Sequence, residues 1–211
     1  MPTPSQLRRN EEALTRLAAN DLAALWRQVT NAAEADRALN DVLPALVRTY
    51  GQAAASLAAD WYDEAREAAE VRGIFRAIPA DLTDQGTQAL AGWATAKGTD
   101  MDSVRTLVEG GLSRRIMAWS RDTVMGSALA DPRADGWQRT GLGSCDFCAM
   151  LIGRGAVYSE ATADFASHDH CNCVAVPVFT GKPRPVQKYT PSVRQSEADQ
   201  ARAREWIADH L

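Results

Sequence analysis

Apolar residues at three- and four-residue steps dominate the first 130 positions of the chain. Leu7, Leu14, Leu17, Leu22, Leu25, Trp26 and Val29 form one such series, which is the spacing of a single buried helical face. Thr3-Pro4-Ser5 precedes it and supplies a helix start, with Thr3 or Ser5 as cap. A second series carries Leu39, Val42, Leu43, Leu46, Val47, Tyr50, Ala54, Leu57, Trp61 and Ala65. Pro44 lies inside it, so the pattern predicts either a kink there or a fresh helix beginning near Leu43. The stretch RGIFRAIPADL breaks the rhythm and reads as an extended connection. Two further helices are expected, at about Thr83 to Ala96 and Asp102 to Leu129, the second ending at Asp131-Pro132. Gly110-Gly111 inside it would bend that helix or admit a close neighbour.

From residue 133 the pattern changes. Glycines cluster, and the short runs GWQRT, AVYS and CVAVPVF have strand character. The last alternates valines with Ala175 and Pro177, which suits an edge strand. Beyond it, TGKPRPVQKYTPSVRQ combines prolines with Lys182, Arg184, Lys188 and Arg194, as an extended arm would. SEADQARAREWIADHL then predicts a short terminal helix capped by Ser192 or Ser196, whose few apolar residues require it to dock on something. The expected organisation is mainly α: a helical body over 1–131, a small α+β module over 132–180, and an extended arm with a short helix over 181–211.

Composition narrows the function classes. The chain has 211 residues, 45% hydrophobic and 24% charged, which is enough to bury a real core. A formal net charge of -4 argues against general nucleic-acid binding, while leaving room for a local basic patch. No apolar run approaches the roughly 18 residues of a membrane span. The opening MPTPSQLRRNEE is charged too early for a signal core. A cytosol-like compartment is expected, where clustered thiols more often bind metal than pair as disulfides.

All four cysteines and two of the three histidines fall in one window, CDFC at 145–148 and HDHCNC at 168–173. Such a spacing fits a structural zinc site, because Cys-x-x-Cys brings two thiolates together and the second group completes a tetrahedron. Cys145 and Cys148 are joined by His168 and Cys171, with Cys173 as alternate ligand in place of His168. His170 is expected to point away. A closed four-ligand shell leaves no place for substrate, and its contribution is folding energy for a segment poor in apolar residues. Redox exchange is the rival, but no βαβ pattern surrounds the Cys-x-x-Cys. Disulfides are the third option. For hydrolysis, Ser144, Ser159 and Ser167 lie nearby, but G-x-S-x-G and H-E-x-x-H are absent. GLGSC lacks the lysine of a phosphate loop.

The residues Trp137, Cys145, Cys148, Leu151, Gly153, Tyr158, His168, Cys171, Cys173 and Pro177 are spaced as in the phage Mu F-type minor head proteins, also called head morphogenesis proteins. The chain resembles that family over about residues 115–180. Asp169 and Asn172 stand where the family has proline and arginine. The resemblance implies a minor capsid protein of the virion, assembled in the bacterial cytoplasm, with structural Zn2+ and no catalytic site in this module. It implies the portal protein and the major capsid or scaffold protein as partners, with packaged DNA reached through the basic arm. A capsid maturation protease of serine type is the alternative function, and a zinc-dependent adaptor without a capsid role is a third.

Overall fold

A computed structural model describes residues 2–83, 86–143, 146–156, 158 and 165–179. The expected C-terminal arm and helix, residues 181–211, lie outside the described residues, as does Cys145. Among the described residues the chain runs α1 (Pro4–Trp26), α2 (Ala32–Ala68), α3 (Thr87–Lys97), α4 (Met101–Ala130), β1 (Trp137–Thr140), α5 (Asp146–Gly153) and β2 (Val174–Pro177). The fold is mainly helical with one small sheet, and none of these helices is long and apolar enough to cross a membrane.

Local chemistry sets most of the boundaries. Thr3 caps α1, its Oγ1 accepting the Gln6 amide at 3.2 Å, and Pro4 begins the first turn without an orphaned N–H. Asn31 caps α2 by accepting the Glu34 amide at 3.0 Å, while the Glu34 carboxylate accepts from the Thr30 amide and hydroxyl. Those bonds hold the Glu34 carboxyl below its ordinary range. Asp100 and Ser103 form a reciprocal capping box at the start of α4. That helix stops at Asp131, before Pro132, as the sequence predicts.

Two expectations change. Of the two readings of Pro44, a fresh helix near Leu43 fails, since one helix of 37 residues, Ala32–Ala68, includes the proline. The apolar stripe on both sides of the proline is buried, and its packing outweighs one missing backbone bond. α3 begins at Thr87 rather than near Thr83, after Gly86 in a left-handed conformation (φ 58°).

The helices cross closely where side chains vanish. A Cβ on Gly51 of α2 would collide with the indole of Trp119 on α4. One on Gly111 of α4 would collide with Leu90 of α3. Gly110-Gly111 therefore admits close neighbours, and one of them is another helix.

The RGIFRAIPADL stretch is the expected extended connection, and side chains hold it against the helices. The Ile78 and Ala80 amides donate to Ser127 Oγ and Thr123 Oγ1 of α4 at 3.0 and 2.9 Å. The Ala77 amide donates to Asp63 of α2 at 2.9 Å. Arg66 donates to the Gly73 carbonyl at 2.9 Å and pairs with Asp131 at 2.8 Å, both side chains buried. Tyr62 donates to the same carboxylate.

β1 and β2 pair antiparallel in the register Trp137↔Pro177 to Thr140↔Val174. GWQRT and CVAVPVF thus form the expected strands, paired with each other in a two-stranded sheet. AVYS contributes only an isolated bridge, Trp137 to Tyr158.

Two hydrophobic clusters result. The first gathers Ala18, Leu22, Leu39, Leu43, Val47, Leu90, Val108, Leu112 and Ile116 from α1 to α4. The second joins Leu7, Trp61, Tyr62 and Val124 of the helices to Trp137, Cys148, Phe165, Cys171, Cys173, Val174 and Ala175. The cysteine segment thus shares a core with α1, α2 and α4.

Candidate metal centre

Cys148, His168 and Cys171 bring one donor atom each into a cluster with all mutual distances within 4.8 Å. Three local structures place them. Cys148 sits in the first turn of α5, where its sulfur and Leu151 are turned inward. Eight residues are too few to show a helical period, so nothing in the sequence pattern marks α5. His168 and Cys171 lie at the two ends of a turn closed by the Cys171 amide donating to the His168 carbonyl at 3.1 Å. His170 occupies the left-handed position of that turn (φ 58°), an uncommon conformation for a residue with a side chain.

The distances suit a tetrahedral ion. Metal–sulfur bonds of about 2.3 Å and metal–nitrogen bonds of about 2.0–2.1 Å give sulfur–sulfur edges of about 3.8 Å and sulfur–nitrogen edges of about 3.6 Å. The Cys148 and Cys171 sulfurs are 3.9 Å apart, and Cys148 Sγ lies 3.3 Å from His168 Nε2. His168 Nδ1 is 2.7 Å from the Asp169 carbonyl, to which it can only donate. That bond fixes the tautomer that leaves an Nε2 lone pair toward the cluster, the arrangement usual for a metal-bound imidazole. Phe147 meets the ring edge-on at 6.4 Å between centroids. Cys148 and Cys171 are buried and His168 is exposed, so the cluster lies at the rim of the second core.

Cys173 is buried two residues further on, against the backbone of Gly141, where a Cβ would lie 2.6 Å from its sulfur. Its thiol and amide lie on the side of the Cys171 sulfur. Those groups, aided by Arg121 and Arg139, hold the Cys171 thiol below its ordinary range. The Cys171 sulfur, together with burial, pushes Cys173 upward. Thiolate is the form that binds metal.

The structure thus brings together three of the five candidate ligands, with Cys173 touching the group and Cys145 outside the described residues. His170 is not among them. Its imidazole lies over Gly110, where a Cβ would stand 2.6 Å from Nε2. Gly110, read from the sequence as a helix feature, is the place where the ligand turn rests on α4.

Sequence reasoning passed over Arg121. It is buried in the middle of α4, and it donates from Nε to the Cys173 carbonyl at 3.0 Å and from Nη2 to the Cys171 carbonyl at 2.6 Å. One guanidinium therefore fixes the backbone of both cysteines against the helical body. A lone arginine within an apolar stripe gave no signal of this. The aromatic residues of the motif also meet: Trp137 stacks on Tyr158 at 4.3 Å and on Phe165 at 5.7 Å between centroids.

Fold and site define the class: a mainly helical protein whose small sheet carries a cysteine–histidine group able to hold a metal ion. The chain belongs to the VG15 protein family, whose profile matches residues 3–199. That family is one of viral and phage gene proteins. Neither the curated proteins nor the solved structures contain a match to it.

Proposed function

We propose that the protein is a minor capsid, or head morphogenesis, protein of a tailed phage. In this reading it binds the portal or the capsid interior during head assembly, and its cysteine–histidine group holds a structural zinc. The observation that carries the reading is the position of that group. Its ligands come from α5 and from the 168–171 turn, and Arg121 and Gly110 of α4 receive the turn. An ion there would staple the C-terminal module to the helical body. Membership of that family and the spacing of residues 137–177 support placing this scaffold in the virion. Division of labour follows the same lines: 1–131 as contact body, 132–180 as stapled module, and 181–211 as an arm whose basic residues reach portal or packaged DNA. Cys145, Cys148 and Cys171 would bind the ion with His168, or with Cys173 in its place.

The test is co-expression with the portal and the major capsid or scaffold proteins encoded in the same phage genome, together with mass spectrometry of purified virions. The reading expects the protein in the particle at low copy number and in complex with portal or capsid protein. Absence from virions, together with failure to bind any of the three, would refute it. If instead the purified protein cleaved capsid or scaffold protein, and one serine substitution ended that cleavage with the fold intact, the protease alternative would replace it.

A further inference from the structure

Arg121 of α4 and Arg139 of β1 converge on the second core at 1% and 3% exposure. Guanidinium groups stay charged in proteins, so both bring a full positive charge into a region of low dielectric. Each packs on Phe165, with Cζ 4.6 Å and 4.0 Å from the ring centroid. Their hydrogen-bond acceptors are neutral: the Cys171 and Cys173 carbonyls for Arg121, and the Ala166 carbonyl, at 3.2 Å, for Arg139. Arg121 Nη1 and Arg139 Nε and Nη1 are buried and have no hydrogen-bond partner among the described residues. Neither arginine takes part in an ion pair among the described residues.

The acid that acts on Arg121 is Glu11 of α1. It does not balance the ledger, because its carboxyl is itself buried, accepts a bond from Ser120, and is pushed up to about 7 by burial. Arg121 is bonded to the backbone of both Cys171 and Cys173, and it shares the Phe165 ring with Arg139, so both cations stand beside the cysteine segment. A divalent ion with two thiolates is neutral and leaves the two cations unanswered. With three or four thiolates the shell carries one or two negative charges.

We propose that Arg121 and Arg139 are the built-in counter-charge of an anionic metal–thiolate shell, which takes a thiophilic divalent cation through at least three cysteine sulfurs. This rests on the metal reading above, whose shell already holds more than two sulfurs, and adds what answers its negative charge: the two buried guanidiniums. Arg121 and Arg139 are positioning residues, acting on the ligands and not on the ion.

The test uses the full chain, loaded with cobalt to count thiolates by charge-transfer absorption and titrated with zinc against a chromogenic chelator. Wild type is expected to show at least three sulfurs. Arg139→Gln is expected to lower zinc affinity at least about tenfold, the size typical of lost outer-shell partners. Arg139→Lys, which keeps the charge, should stay close to wild type. A structural role alone would not separate lysine from glutamine at this position. Equal affinity in Arg139→Gln and wild type, or a two-thiolate cobalt spectrum in wild type, overturns the proposal. Should Arg139→Gln fail to fold, Arg139→Lys carries the test: zinc affinity close to wild type supports the proposal, and a loss of about tenfold with the charge kept overturns it. Failure of the metal reading itself looks different, because wild type would then take up neither ion.

Discussion

Leu22, Leu39, Leu43, Val108, Leu112 and Ile116 meet in the first cluster with hardly a polar atom among them. In the second, cysteines, tryptophans and tyrosine share the interior with Arg66, Arg121, Asp131 and Arg139. Apolar burial stabilises the first directly, at roughly 25 cal/mol per Å². The second surrenders part of that gain to desolvated charges and recovers it only where every partner is in place. The lesson is about dependence. A helical core of aliphatic residues stands on its own, whereas a core of sulfur, aromatic rings and guanidinium depends on a set of polar contacts that must all be made.

The buried charge in the second core gives the largest expected effect. Asp131→Ala leaves the buried Arg66 without its ion-pair partner and frees Tyr62, and should cost about 3–5 kcal/mol in denaturant unfolding. A loss under about 1 kcal/mol would mean that water already serves these groups. Leu43→Ala in the first core should cost about 2–4 kcal/mol, and by a similar amount with or without chelator. If chelator changed that figure, the two cores would be one cooperative unit and the contrast between them would fail.

Those two predictions rest on features of unequal legibility. The aliphatic core could be read directly, since α1, α2 and α4 repeat their apolar positions over many turns. The metal candidates were legible too, because few side chains other than clustered cysteine and histidine do such chemistry. What joins the cysteine segment to the body was not. α5 is too short for periodicity, Arg121 is a single charge in an apolar stripe, and the contact of His170 with Gly110 links positions 60 apart in sequence. Capping by Glu34 on Thr30 was local and could have been found.

A smaller effect concerns Glu11. Its carboxyl is pushed up to about 7 when folded, above an ordinary value of 4.5, so the folded state holds the proton more tightly than the unfolded one. Stability from this group is then fully present below about pH 4.5, is lost as pH rises through about 7, and is level above that. Glu11→Gln should remove this slope and stabilise the protein at pH 8 by about 1–3 kcal/mol. Melting temperatures of both proteins between pH 5 and pH 8 check it. Parallel curves would place Glu11 in water, outside the packed interior.

The central claim is that the cysteine–histidine group holds an ion that orders the second core. Elemental analysis of the purified protein, repeated for Cys148→Ser and Cys171→Ser, tests it most directly. The account predicts one zinc per chain in wild type and little or none in either variant. Loss of zinc should be accompanied by loss of near-ultraviolet signal from Trp137 and Tyr158 while the helical far-ultraviolet signal persists. Wild-type protein that purifies without metal, and whose near-ultraviolet signal and melting temperature are unchanged by added zinc, would contradict it.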